Sequence, residues 1–325
     1  MENLNFENRL DLTELSASIQ ATKNELKKVI IGQELMIDQL IVALLVNGHV
    51  LLEGVPGIAK TLTAKALATT LQLDFSRIQF TPDLMPSDII GTSVFDLSKS
   101  AFEFKKGPTF ANFILIDEIN RAPAKTQAAL FEVMEEHQIT VDGKTYKMDE
   151  PFMVVATQNP IEQEGTYRLP EAQLDRFLFK ITLDYPSLTE EIEILNHENQ
   201  LQSVQKLALI QQVLNKIDLI NFQQLVKQVF IEPHLVEYIA QMVLNTRNNS
   251  FLYLGASPRA SIAILNAAKG FAVLNNRDFV TPEDIKTACI PVLQHRIIIT
   301  PEREMEGIRT IDIIKQIVDA VEIPR

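Results

Sequence analysis

The stretch "LLEGVPGIAKT", residues 51–61, decides the fold. An apolar strand runs into a glycine-marked turn and then into Lys60-Thr61, close to the phosphate-loop pattern G-x-x-x-x-G-K-[ST]. Gly54 fits the first glycine, and Lys60 and Thr61 fit the end, but Ala59 stands at the second glycine. Such a loop, here Gly54, Val55, Pro56, Gly57, Ile58, Ala59, Lys60, Thr61 and Leu62, offers successive backbone N–H groups and a positive helix end to phosphate oxygens. Lys60 supplies charge to the outer phosphates, and Thr61 supplies a hydroxyl ligand for magnesium. Alanine strongly favours helical geometry, and at 59 it can serve if the residue already lies in the right-handed helical region. Taken alone, the stretch also reads as a coincidental run of Gly, Pro and Lys.

Outward from this loop, short apolar runs alternate with helical patterns. "HVLLEG" (49–54), "RIQF" (77–80), "NFILIDE" (112–118), "FMVVATQN" (152–159) and "FLFKITL" (177–183) read as strands buried on both faces. "KTLTAKALATTLQ" and "PAKTQAALFEVMEEHQ" read as helices between them. That alternation predicts a parallel α/β sheet. Composition shifts near Pro186. Beyond it "LTEEIEILNHENQ", "PHLVEYIAQMVLNTR", "SPRASIAILNAAKGFAVL" and "TPEDIKTACIPVLQHRI" read as helices, and no strand is expected. Ser257-Pro258 and Thr281-Pro282 each offer a cap oxygen followed by proline at the first helical position. The expected organisation is a loose polar tail over 1–14, an α/β nucleotide domain over 15–186 and a helical domain over 187–325.

Bulk properties agree with this plan. The 325 residues suit one large or two ordinary domains, and 46% hydrophobic with 22% charged residues is an ordinary globular composition. The single cysteine, Cys289, allows no internal disulfide and reads as core filler. "MENLNFENRLDLTEL" holds no signal-peptide core, and "LIVALLVNGHVLLEG" is too interrupted to span a bilayer. A soluble, cytoplasmic protein is expected. The net charge of −12 disfavours a large nucleic-acid surface.

Four further features carry chemistry. In "FILIDEINRA" an apolar strand ends in Asp117 and Glu118, at the sheet end where ligands bind in open α/β folds. Asp117 can hold magnesium through water, and Glu118 can orient or deprotonate the attacking water. A solvated acid pair is the plainer alternative. Asn159, after a buried strand, can position water or a γ-phosphate oxygen, or simply make a turn before Pro160. Arg176, in "LPEAQLDRFLF", can stabilise phosphoryl transfer from outside or form an ordinary salt bridge. Arg259, in "GASPRAS", opens a helix of the second domain.

The order of these motifs, with Ile30, Ile31, Gly32 and Gln33 of "IIGQ" ahead of them, resembles the AAA+ ATPases. Within that class "LLEGVPGIAKT", "QFTPDLMPSDIIGT", "LIDEINRAPAKTQAALFEVMEE", "ATQNPIEQEGTYRLPEAQLDRF" and "ASPRAS" are similar to the MoxR family, over residues 15–320 or so. Ala59 is common there, whereas Arg168 departs from a position more often proline. The resemblance implies strand order 5-1-4-3-2, a helical lid, and a hexameric ring with ATP between subunits. It also implies that Lys60, Thr61, Asp117, Glu118 and Asn159 act from one subunit. Arg176 would be the arginine finger from the neighbour, and Arg259 a second sensor acting within or across subunits. Ile30, Ile31, Gly32 and Gln33 would border the adenine.

Two segments read as inserted hairpins, "DIIGTSVFDLSKSAFEFKKGPTFAN" around "DLSKS" and "HQITVDGKTYKM" turning at Asp142-Gly143. They face a ring surface or pore, or are surface decoration. The function implied is a magnesium-dependent ATP-driven remodeller, chaperone-like in assembly, maturation or metal-cofactor insertion, with a protein substrate and, in such families, a von Willebrand A domain partner. The rivals are a nucleic-acid motor, for which Lys99, Lys105 and Lys106 speak, and a nucleotide-dependent scaffold of low turnover, against which Glu118 weighs.

Overall fold

The five apolar runs become one sheet because each has β-branched or aromatic residues that cannot be solvated on either face. A computed structural model describes residues 9–55, 57–160, 167, 169–200 and 206–323, with strands β1 Val50–Gly54, β2 Phe75–Gln79, β3 Phe113–Asp117, β4 Met153–Gln158 and β5 Phe179–Leu183. All neighbouring pairs are parallel, in the order β5-β1-β4-β3-β2, which is the order expected. β3 is buried throughout and β4 at all but its last residue, whereas edge strand β2 buries only Ile78. Pairing of Gln79 with Asp117 and of Glu53 with Gln158 brings the carboxyl ends of the strands to one side of the sheet.

The helices of more than five residues among the described residues are α1 Thr13–Lys27, α2 Glu34–Leu45, α3 Lys60–Thr70, α4 Ala124–Glu136, α5 Leu188–Gln200, α6 Lys216–Gln228, α7 Pro233–Arg247, α8 Pro258–Leu274, α9 Pro282–Leu293 and α10 Thr310–Ala320. None among the described residues is long and apolar enough to cross a membrane. By their internal contacts the residues form two units. The first gathers 22–40 and 47–220, and holds the sheet. Its α3 buries Thr63, Ala64, Ala66 and Ala68, side chains small enough to let a helix lie close over the sheet. On α4, Leu130, Phe131, Val133 and Met134 are buried and join Ile114, Ile116, Val154 and Phe177 in one apolar cluster.

The second unit gathers the described residues 9–21, 41–46 and 221–323. In it α7 and the first turns of α8 bury one face, and α8 is buried all round over Gly270–Val273. A Cβ on Gly270 would stand 2.6 Å from Val42 Cγ1, so the glycine is what admits the end of α2 against α8. Thr281 and Asp284 close a capping box, and Arg277 grips Asp284 with two bonds of 2.7 Å. Cys289 is fully buried, and burial pushes its thiol up to about 12, as suits a core residue.

Several expectations change. By internal contacts α5 and residues 206–220 group with the sheet, beyond the composition shift at Pro186. The tail ends sooner than residue 14: α1 starts at Thr13 and Leu12 and Leu15 are buried, while residues 1–8 lie outside the described residues. Strands do occur after Pro186. Leu252–Leu254 pairs antiparallel with Ile298–Ile299, and Leu214–Asn215 pairs parallel with Leu71–Gln72. Two or three residues are too few for an alternating pattern to stand out from the flanking sequence. Helices α6 and α10 were not anticipated.

His49, just before β1, ties three elements together. Its Nδ1 accepts the Val154 N–H at 3.1 Å, so the proton sits on Nε2, which donates to the Met134 carbonyl at 3.2 Å. Complete burial, with His137 beside it, lowers its pKa to about 4. The folded value is below the unfolded one, so the unfolded chain binds the extra proton first. Stability from neutral His49 is full above about pH 6.5 and is lost as pH falls toward 4, about 2 kcal/mol by pH 5. Urea midpoints measured between pH 7 and 4.5 should fall more steeply for the parent than for His49→Gln. Equal slopes would contradict this account.

Candidate active site

Eight residues expected at the nucleotide meet in one cleft of about 440 Å³ at the carboxyl end of the sheet. Gly57, Ala59, Lys60, Thr61, Leu62, Asp117, Glu118 and Asn159 line it, with Arg77, Gln79, Thr157 and Gln158. The strand-to-helix turn puts them there: β1 ends at Gly54, α3 begins at Lys60, and β3 and β4 end in the acid pair and in Gln158. Gly54 is needed because a Cβ would lie 2.5 Å from Ile58 Cδ1 and 3.0 Å from the Leu183 carbonyl. Gly57 turns with φ +88°. Val55 continues the loop, and Pro56 lies outside the described residues.

Ala59 corrects the expectation. It is left-handed, at φ 62° and ψ 16°, not right-handed. The helix begins only at Lys60, so residue 59 still belongs to the turn, and its carbonyl accepts the N–H of Thr63 at 2.8 Å. The alanine therefore holds the conformation a glycine would take freely, at a cost of about 1–2 kcal/mol. Glu118 is also left-handed, at φ 58° and ψ 52°, as is Gln33 at φ 56°.

The carboxylates are held. Asp117, only 6% exposed in its side chain, takes the Thr61 hydroxyl on Oδ1 at 2.9 Å, the Thr157 hydroxyl on the same oxygen at 3.3 Å, and Arg77 Nε on Oδ2 at 2.7 Å. Thr157 also accepts the Glu118 N–H at 3.1 Å, which fixes the two acids relative to each other. The Glu118 carboxylate accepts from Gln79 Nε2 at 2.9 Å and pairs with Arg121 Nε at 3.0 Å. Lys60 donates to the Gly54 carbonyl and, at 3.1 Å, to the Gln158 carbonyl. Asn159 is buried at the cleft wall.

A second cleft of about 460 Å³ adjoins the first through Gly57, Ala59 and Leu62. Ile30, Ile31 and Gln33 form one wall, and Gly32, at φ +67°, makes the turn between them. The other wall is Tyr185, Pro186 and Ile194, with Glu191, His197 and Lys206. An apolar slot beside a polar, cationic one suits a base joined to phosphates.

Two expected residues lie away from both clefts and from the loops that border them. Arg176 precedes β5, whose Phe179 pairs with Val50, whereas the loop begins beyond Gly54, which pairs with Leu183. Arg176 is thus at the opposite end of the sheet from its own phosphate loop, on the order of 15 Å or more along the strands. There its Nε meets Glu135 at 2.6 Å over the Phe131 ring. Arg259 is exposed on the first turn of α8, in the helical unit. Arg168 lies outside the described residues. Sequence reading missed Arg77, Gln79, Arg121, Thr157 and the Tyr185 wall. The alternation Arg77-x-Gln79, two polar side chains on one face of a strand, was the available signal for the first two.

A parallel sheet of this order, with a phosphate loop after β1 and an acid pair after β3, defines a P-loop ATPase of the AAA+ class. Residues 49–179 match the model of the ATPase family associated with various cellular activities (AAA), and 230–317 match the AAA lid domain. YeaC of Bacillus subtilis (strain 168) is 45% identical over 92% of each chain, and Chaperone MoxR1 of Mycobacterium tuberculosis is 44% identical over 93% of this chain and 81% of its own. A crystal structure from Cytophaga hutchinsonii superposes with a TM-score of 0.88 at 46% identity, covering 96% of this chain and 97% of that one. The chain belongs to the MoxR family of AAA+ ATPases, and hydrolyses ATP.

Proposed function

We propose that the chain is a magnesium-dependent, ring-forming ATPase that remodels protein complexes in the manner of a chaperone. The observation that carries the ring is the position of Arg176. The phosphate cleft has its loop, lysine and acid pair on one side of the sheet, while the expected finger is on the far end. A neighbouring copy presenting that end completes the site, and six such copies make the ring that the family resemblance implies. Arg259 is the candidate second sensor.

The residues fit magnesium. Thr61 Oγ1 and Asp117 Oδ1 are hard oxygen donors already 2.9 Å apart beside the phosphate loop. When bound, the ion neutralises charge on the β- and γ-phosphates. Lys60 gives up its two carbonyl partners for phosphate oxygens. Glu118 orients water and takes its proton, once freed from Gln79 and Arg121. Asn159 holds that water or a phosphate oxygen. The base lies between Ile30, Ile31 and the Tyr185–Pro186 wall.

Both hairpins form. Gly91–Asp96 pairs with Ala101–Lys106, and Gln138–Val141 with Lys144–Lys147 through Asp142 and Gly143, both at positive φ. The first exposes Leu97 at 86% and Phe102 at 72%, with Phe95 edge-on to Phe102. Exposed apolar groups of this size favour a protein surface as substrate. Lys99, offered by the nucleic-acid reading, is paired with Glu103 at 3.1 Å. The relative named Chaperone MoxR1 supports the same reading. A von Willebrand A domain protein is the partner class to seek, and delivery of a metal cofactor is one form the work could take.

The test is turnover with and without candidate partners. ATPase rate at physiological salt should be unchanged by DNA or RNA, and should rise with a protein captured on ATP-loaded Glu118→Gln. Several-fold stimulation by nucleic acid would favour the motor reading instead.

A further inference from the structure

We propose that Arg77 is a built-in counter-charge that makes metal binding at Asp117 conditional on nucleotide. The proposal rests on the reading of Asp117 as the metal-holding acid. That carboxylate is almost entirely out of water, and a buried charge must be paired. The site's lysine does not pair it, because Lys60 is engaged with the Gly54 and Gln158 carbonyls. Arg77 does, from the edge strand, with Nε 2.7 Å from Oδ2.

Two consequences follow. Without phosphates, a cation arriving at Oδ1 meets a carboxylate already neutralised and a guanidinium a few ångströms away. Coulomb repulsion at that range in a part-buried site is strong enough to keep the metal off. With nucleotide in the cleft, several phosphate charges outweigh one guanidinium, and the metal enters with them. Arg77 is also free to retreat: its side chain is 45% exposed and stands on β2, which has a partner on one side only. The device keeps the metal-only state empty while weakening the loaded one only slightly.

The test is an EPR titration of the full chain with Mn²⁺ alone and with Mn²⁺ plus ADP. Arg77→Gln should bind Mn²⁺ alone at least about tenfold more tightly than the parent, since one unit of counter-charge is gone. With ADP present the difference should shrink to about twofold, because the phosphates dominate. Arg77→Lys, which keeps the charge, should stay near the parent. Arg77→Met, close in stem length, is a second neutral variant should Arg77→Gln fail to fold by circular dichroism. Neutral variants that bind Mn²⁺ alone no more tightly than the parent overturn the proposal. So does Arg77→Lys behaving like Arg77→Gln, which would make shape and not charge the cause. If the parent fails to bind Mn²⁺ even with ADP, the nucleotide-site reading itself falls, and this proposal with it.

Discussion

Glu118→Gln is expected to keep ATP bound while hydrolysis falls by about two to four orders of magnitude, the usual worth of a general base. The two tasks separate because different groups perform them. Phosphate binding belongs to the loop and Lys60, which Glu118 does not touch in this structure. Its carboxylate points to Gln79 and Arg121, at 2.9 and 3.0 Å. Glutamine has the same shape and can still accept from both, so the left-handed turn at 118 is retained. It is a poor proton acceptor, so water activation is lost. Fluorescent-nucleotide affinity and phosphate release measured on one preparation decide it. Affinity within about twofold of the parent, with release at most about a hundredth, is the expected pair of values. Turnover near the parental rate would remove Glu118 from the chemistry.

Arg176→Ala should bind ATP, fold, and hydrolyse at roughly a thousandth of the parental rate or less, which is the range for a lost arginine finger. The structure supplies a sharp control. Within one chain Arg176 is bonded to Glu135 at 2.6 Å, and a purely structural role would end there. That pair is part-exposed, so its loss costs about 1 kcal/mol at most. Glu135→Ala removes the same pair while leaving the guanidinium in place. If Arg176 only braces α4, the two variants behave alike and both turn over. If it serves a neighbour's phosphates, Glu135→Ala is active and Arg176→Ala is not. Mixing supplies the second arm. Lys60→Ala fails to bind ATP but carries an intact Arg176, and Arg176→Ala carries an intact loop. Mixed rings contain interfaces with both, so activity should return. Mixtures no more active than their parts, with subunit exchange verified, would leave Arg176 without a role in trans. The ring would then need another cation, Arg168 or Arg259.

The phosphate loop, the acid pair, Asn159 and all five strands were legible because each rests on a local pattern. An apolar run of β-branched residues is a buried strand wherever it falls, and a glycine turn followed by Lys-Thr has one productive geometry. Ala59 was misjudged for a local reason too. Helix propensity argued for the right-handed region, yet the residue closes the turn before the helix begins, and the backbone path overrides propensity. Other features depended on partners far away in sequence. Arg77 and Asp117 are 40 residues apart and meet because β2 and β3 are neighbours. Tyr185 and Ile194 wall a cleft whose other side is Ile30 and Ile31.

By itself, then, the sequence determined the class of fold, the strand order through its family resemblance, and which side chains are the candidates for the chemistry. Those follow from hydrophobic period and turn chemistry, which act over a few residues. Only the tertiary structure decided which cation holds each acid. Arg77 is on Asp117, Arg121 with Gln79 on Glu118, and Lys60 on backbone carbonyls. Arg121 is only three residues from Glu118, but Arg77 and Gln79 reach the acids from another strand, and a linear chain carries neither that distance nor that burial until strands from distant segments lie side by side.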